Sequence, residues 1–295
     1  MSILNDNERV SVHLKTLVEL VNKASRVSGR NNKVRAGQSG EYISRFKGRG
    51  MEFDETRVYQ PGDDIRSIDW RVTARTNKTQ TKIFCEERER PVFISVDSRR
   101  TMQFATRGVF KSVQAAKIAA LLAWSAQIKG DRIGGQVFTQ DACQEFKPAT
   151  GKRAVLHFFN ALVNPQQLTH VEMSLELVFA RLVQHVRPGS LVYVISDFRG
   201  LNEAVEKHLS KLVKHCEVVL IHTYDQLEAS LPVKGRYRFT DGKQECTVDT
   251  GDKKRVLGYQ QQFQYRQQTL RKLSLRWRVN LLECKTTDDP IEVLR

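Results

Sequence analysis

Apolar and polar positions follow two different rhythms along the 295-residue chain. Between Asn7 and Val27 the residues Val10, Leu14, Leu17, Val18 and Val21 recur at helical spacing, which predicts one amphipathic helix. Ser28 to Gly40 is rich in Gly, Asn and Ser and predicts a loop. Short extended pieces follow, among them "KIFCEE", and between them "VYQPGDD" sets Pro61 and Gly62 at the second and third positions of a type I or II turn.

From Pro91 the rhythm becomes regular. "VFISVD" is a continuous apolar run of the kind that forms a strand buried on both faces. A long helix is predicted from Val109 to Lys129, then two strands, "DRIGGQVFT" and "CQEFKPA", turning at Gln140 and Asp141. Helices over Arg153 to Leu162 and Ser174 to His185 lead to the clearest strand, "SLVYVISDF". A further helix, the strand "EVVLIHTYD", a polar hairpin around Asp241 and Gly242, a Gln-rich helix from Lys253 to Leu273 and a last strand, "WRVNLLEC", complete the pattern. Strands alternating with helices imply an α/β fold, a mostly parallel sheet with helices on both faces. A small N-terminal helix-plus-strand subdomain precedes it. The expected divisions are residues 1–90, 91–286 and a tail of 287–295. In open sheets of this kind the functional crevice lies at the carboxyl ends of the strands, and two strands end in aspartate, at Asp97 and Asp197.

Composition narrows the function classes. Hydrophobic residues make up 40% and charged residues 27%, as in a folded globular chain. The net charge of +15 raises nucleic acid as a partner, through the basic segment holding Arg26, Arg30, Lys33, Arg35, Arg45, Lys47 and Arg49. Elsewhere Lys and Arg are mixed with 33 acids, so the excess reads first as solvated surface, with a nucleic-acid-associated protein as the alternative. Five scattered cysteines with no CxxC pair argue against disulfides or zinc and for a reducing cytoplasm. No secretory leader is expected, and the longest apolar run, "IAALLAWSAQI", is too short to span a bilayer. No phosphate loop, GxGxxG after a strand or HExxH occurs.

The densest chemistry sits in "RVYQPGDDIRSIDWRVTAR". Asp63, Asp64 and Asp69 stand near Arg57, Arg66, Arg71 and Arg75, with Tyr59 and Trp70 among them. Such a set can form bidentate ion pairs packed by aromatics, a partly buried clasp, or else a surface read by a partner. Without His or Cys, and with only Ser67 and Thr73 as hydroxyls, it does not read as catalytic.

The aspartates closing "VFISVD" and "LVYVISD" make the second part of the chain resemble a von Willebrand factor A domain, a Rossmann-type α/β fold. The longer motif "YQPGDDIRSIDWRVTAR" ahead of it resembles the bacterial family called "domain of unknown function 58", over nearly the whole chain from Glu41. Many members carry two membrane helices before this block; the charged amphipathic helix here suggests a soluble branch. The family typically stands beside a MoxR-type AAA+ ATPase, which implies such an ATPase and a client protein as partners. The resemblance also implies a metal-ion-dependent adhesion site, with Asp-x-Ser-x-Ser after the first strand, a Thr on a second loop and an Asp on a third. In "DSRRT", Asp97 fits the aspartate, Arg99 replaces the first Ser after Ser98, and Thr101 takes the place of the second; Thr169 and Asp197 fit the other loops. Mg²⁺ or Ca²⁺ needs several oxygen ligands, so Arg99 removes one and brings a competing charge. The expected reading is a degenerate metal site of Asp97, Thr101, Thr169 and Asp197, without a cofactor, in a non-enzymatic adaptor. A metal-dependent hydrolase is the weaker alternative.

Overall fold

The structure, a computed structural model, describes residues 6–27, 51–86, 90–165, 173–231, 235–240, 245–249 and 253–295. The expected loop at Ser28 to Gly40, all of the basic segment except Arg26, the hairpin tip at Asp241 and Gly242, and Thr169 lie outside them. Two compact units emerge: Met1–Asn31 together with Arg90–Arg295, and Asn32–Glu89.

In chain order the elements are α1 (Asp6–Val10), α2 (Leu14–Glu19) and α3 (Val21–Ala24), then β1 (Met51–Val58), α4 (Trp70–Thr76) and β2 (Gln80–Glu86). The larger unit continues with β3 (Pro91–Asp97), α5 (Lys111–Ile128), β4 (Arg132–Phe138), β5 (Cys143–Ala149), α6 (Gly151–Val163), α7 (Leu175–His185) and β6 (Leu191–Ser196). It ends with α8 (Glu203–Val213), β7 (Glu217–Tyr224), α9 (Gln226–Ala229), β8 (Arg236–Thr240), β9 (Glu245–Asp249), α10 (Lys253–Trp277), β10 (Asn280–Lys285) and α11 (Pro290–Val293).

The main sheet has the order β10-β7-β6-β3-β4-β5, parallel except for the edge strand β5. The period of two in each strand sorts its side chains between two cores. On β3, Val92, Ile94 and Val96 face the core shared with α5 and α6, while Phe93 faces the core of α7, α8 and α10. Val192 and Val194 of β6 and Val218 and Leu220 of β7 join the second core, and Ile195, Val219 and Ile221 the first. Both faces are covered, which is why the strands read as unbroken apolar runs. Helix α5 is buried on nearly every side, because α3, α6 and α11 pack around it and its alanines admit them closely.

Two expectations about organisation are corrected. The predicted single helix over Asn7 to Val27 is three short ones. It breaks where Ser11 Oγ bonds back to the Asn7 carbonyl (2.6 Å) and His13 is extended at φ −114°. These helices do not belong with the motif subdomain: Leu17, Ala24 and Val27 are buried in the α5 core, and Trp124 Nε1 donates to the Leu17 carbonyl at 3.0 Å. Nor is 287–295 a tail. Asp289 caps α11, and Ile291 and Leu294 close the same core. Apolar burial, which a boundary drawn from motif positions overlooks, holds α2, α3 and α11 to this core. Leu17→Ala, at a side chain 1% exposed, should therefore cost about 2–5 kcal/mol in chemical denaturation. A loss below about 0.5 kcal/mol, as at an ordinary surface position, would detach these helices from the core.

Candidate functional site

Strand order reverses between β3 and β6: the chain leaves β3 for β4 on one side and later returns to β6 on the other. Crevices for ligands open at such switch points, beyond the carboxyl ends of the strands. Asp97 and Asp197 stand there, both fully buried.

Each carboxylate is met by cations of the same chain. The Arg99 backbone N–H and Nε donate to Asp97 Oδ1, both at 3.0 Å, and Nη2 donates to Oδ2 at 2.7 Å. Ser196 Oγ adds a 2.6 Å bond to Oδ2. The same guanidinium lies 3.7 Å from Asp197 Oδ1 and over the Phe138 ring. Lys111 Nζ, also wholly buried, donates to Asp197 Oδ2 at 3.0 Å and to Glu228 Oε1 at 2.9 Å. Arg199 completes the set, 2.7 Å from Glu228 Oε1 and 3.5 Å from Asp197 Oδ2. Three carboxylates are thus matched by three cations, with Arg199 the member most open to water. Burying one such charge unpaired would cost several kcal/mol, which explains the one-to-one matching.

Local structure explains how these groups converge. Lys111 opens α5, the unfavourable end of the helix dipole for a cation, and two buried carboxylates offset that cost. Glu228 is set by a capping box: Asp225 accepts from the Leu227 N–H, and the Asp225 N–H donates to Glu228 Oε2 at 3.0 Å. Asp225 also accepts from the Thr106 N–H and from the hydroxyls of Thr106 and Thr286, fastening the loop before α5 to β10. In that loop Gly108 has φ +80°, and a Cβ there would run into the Thr286 carbonyl. After Asp197 the buried Phe198 takes φ 52°, a costly conformation for a bulky residue, held by its N–H donating to Ser196 Oγ at 2.9 Å.

The charges respond to this burial. Desolvation pushes the Asp97 carboxyl above its ordinary value, while Arg99 pulls it back. Burial would also raise Asp197, but Lys111, the Arg199 N–H and the two guanidiniums hold it well below the carboxylate range. Nearby on β7, His222 is fully buried with neither ring nitrogen hydrogen-bonded, stacked against Tyr224 (5.2 Å) and Phe263 (6.0 Å). Burial lowers its pKa from 6.5 to about 4, so it is neutral at pH 7.

As a metal site the arrangement does not fit. Asp97 is engaged by Arg99 and Asp197 by Lys111, and among the described residues no group of three or more His, Cys, Asp or Glu is placed to hold an ion. Thr101 is near enough in sequence to serve, and its buried Oγ1 has no partner; Ser98 is half-buried, its N–H bound to the Phe138 carbonyl. Among the described residues near the crevice, the Thr101 hydroxyl and the buried His222 ring are left without a hydrogen bond. Ser196 is sealed between Asp97 and Phe198, and burial pushes the thiols of Cys143 and Cys284 up to about 11 and about 12.

The PGDD motif belongs to the smaller unit, where β1 and β2 pair antiparallel. Pro61 and Gly62 form its exposed turn, with Gly62 at φ 110°. The aspartates bond backbone: Asp63 accepts from the Gln60 N–H and pairs with Arg57 at 2.7 Å, Asp64 accepts from the Arg66 N–H, and Asp69 caps α4. Tyr59 donates its hydroxyl to the Asp63 carbonyl. The expectation of aromatics enclosing buried pairs is corrected: Trp70 is 66% exposed, and Arg66, Arg71 and Arg75 are exposed as well. Asp69 acts as a helix cap, a contribution of about 1 kcal/mol, rather than as one half of a buried pair. Lys111, Arg199 and Glu228 are not among the residues that the linear pattern marks for the crevice. The Asp225-x-x-Glu228 spacing was the available signal for one of them, and a lysine opening an apolar helix for another.

The profile of the family described as "Protein of unknown function DUF58" matches residues 55–270. Uncharacterized proteins of Mycobacterium tuberculosis and Mycobacterium bovis are 28% identical over 197 residues, 66% of this chain and 62% of theirs. The chain therefore spans less than two thirds of the length of these relatives. Among solved structures, BatB from Bacteroides thetaiotaomicron aligns at TM-score 0.44 and 12% identity, over 69% of this chain and 93% of that one. An aerotolerance-related membrane protein from Bacteroides fragilis aligns at 0.43 and 12%, over 70% and 94%.

Two predictions arise from the crevice. For His222, a depressed folded pKa means that the unfolded chain binds the extra proton first, so stability falls as pH drops from 6.5 towards about 4. Unfolding free energies from urea titrations across that window should decline, by about 3 kcal/mol in all, and His222→Phe should flatten the decline. An unchanged slope in the variant would assign the decline to other groups. Millimolar Mg²⁺ or Ca²⁺ should leave the melting temperature of the parent unchanged. Arg99→Ser should melt lower, having left Asp97 buried without its cation, and should regain part of the loss with the ion. Equal metal responses in the two proteins would remove Arg99 from the cation's place.

Proposed function

The chain belongs to the DUF58 family of proteins of unknown function, and on that premise we propose that it is a non-enzymatic, cytoplasmic adaptor. Its partner in this reading is a MoxR-type AAA+ ATPase, to which it brings a client in assembly, maturation or stress tolerance. The sheet is read as a von Willebrand A-like domain whose cation position has been taken over by Arg99 and Lys111. One observation carries the reading: Asp97, Asp197 and Glu228 are each paired with a cation of the same chain. With these carboxylates engaged, the site is read as a fixed rim of polar groups at the sheet edge rather than as a set of working acids and bases. Among the described residues no helix is long and apolar enough to cross a membrane, which is compatible with this placement. The ATPase partnership itself rests on the motif.

The test is reconstitution with the MoxR-type ATPase of the same host. Co-elution in gel filtration and a changed ATPase rate are expected, with no hydrolytic activity from the chain alone whether or not a divalent ion is present. Activity appearing only with the ion would favour the hydrolase. Retardation of DNA should be weak and vanish near physiological salt; tight binding persisting there would favour the nucleic-acid reading.

A further inference from the structure

Among the described side chains of the smaller unit, three large apolar ones are exposed. Val58 is 53% exposed, and Ile65 and Trp70 are each 66% exposed. The backbones at Val58 and Trp70 are close: Val58 pairs with Gln80, whose carbonyl accepts the Asp69 N–H at 2.8 Å, and Trp70 follows Asp69. At 100° per residue, Trp70, Arg71, Ala74 and Arg75 fall within about 140° of α4, and all four are exposed, whereas Val72 and Thr73 turn towards β2 and are half-buried. Arg66 and Lys78 are exposed on the flanking turns. The acids of the same stretch are directed elsewhere: Asp63 and Asp69 bond backbone amides and pair with Arg57 and Lys82, and Asp64 caps the turn before Ile65. An exposed indole with exposed arginines on the same short helix has the composition of an interface hot spot.

We propose that this outward face of α4, centred on Trp70 and rimmed by Arg66, Arg71 and Arg75, docks an acidic protein segment carrying an apolar side chain. The inference deepens the adaptor reading by naming a docking face. Charge complementarity selects the occupant. A second copy of the chain would set the same cations against each other, which costs several kcal/mol. Single-stranded nucleic acid favours a run of aromatic platforms; here one indole stands among aliphatic Val58 and Ile65. The apolar side chain covers Trp70, and the acids meet the arginine rim, so affinity falls with salt.

The full chain is tested without any ATPase, so failure here and failure of the ATPase partnership are separate results. The probe is a fluorescein-labelled Glu- and Asp-rich peptide bearing one Leu and one Phe, followed by anisotropy. It should bind the parent; Trp70→Ala should weaken it by at least about tenfold, and the double change Arg71→Glu, Arg75→Glu should abolish it. Both variants should keep the melting temperature of the parent, since these side chains are exposed. The same peptide with Lys in place of its acids should not bind. Absent binding, or equal binding by parent and variants, overturns the proposal. So does tighter binding of labelled oligothymidylate, which would indicate nucleic acid. Dimerisation in sedimentation that Trp70→Ala removes would assign the face to a second copy and overturn it likewise.

Discussion

Lys111 between Asp197 and Glu228 is the constraint around which the rest of the larger unit is arranged. Its ammonium is wholly buried, at the end of α5 where the helix dipole opposes it. Only two buried carboxylates at 3.0 and 2.9 Å make that position tolerable, and they come from segments 86 and 117 residues away. The pairing therefore requires β6, α9 and α5 to be in register with one another. Arg99 does the same for Asp97 one strand over, and Arg199 ties the two carboxylate groups together. A buried network of this kind adds little to stability compared with apolar packing, but each member is costly to lose. It fixes where three loops end.

Those loops end at the switch point of the sheet, where this fold class holds its ligands. Here the chain supplies the positive charge from within. The consequence runs from packing to function: with Asp97 and Asp197 already compensated, an incoming cation would have to displace a guanidinium and an ammonium together. What faces water is the partly open Arg199 and, in the other unit, the arginine-rimmed Trp70.

Local signals in the sequence corresponded well to local structure. The apolar runs gave the strands from Pro91 onward, because strands buried on both faces need no polar alternation. The aspartates after "VFISV" and "LVYVIS" were legible as crevice residues, since strand ends are visible in the pattern. The motif aspartates were harder. Asp63, Asp64 and Asp69 look like partners for nearby arginines, yet amide donors one to three residues away reach them first, because a turn or helix start offers unbonded N–H groups at short range. Of the arginines, Arg57 pairs with Asp63, while Arg66, Arg71 and Arg75 are exposed.

The sequence by itself determined the α/β class, the strands of the main sheet in their order along the chain, and the aspartates that close two of them. Each depends on spacing or on residue identity within a short window. Only the tertiary structure decided that Lys111 and Glu228 belong to the crevice, that α2, α3 and α11 enter the core, and that Trp70 faces water. Those outcomes depend on contacts between segments far apart in sequence. Burial and charge compensation, which act through space, select among the many pairings that a linear pattern allows.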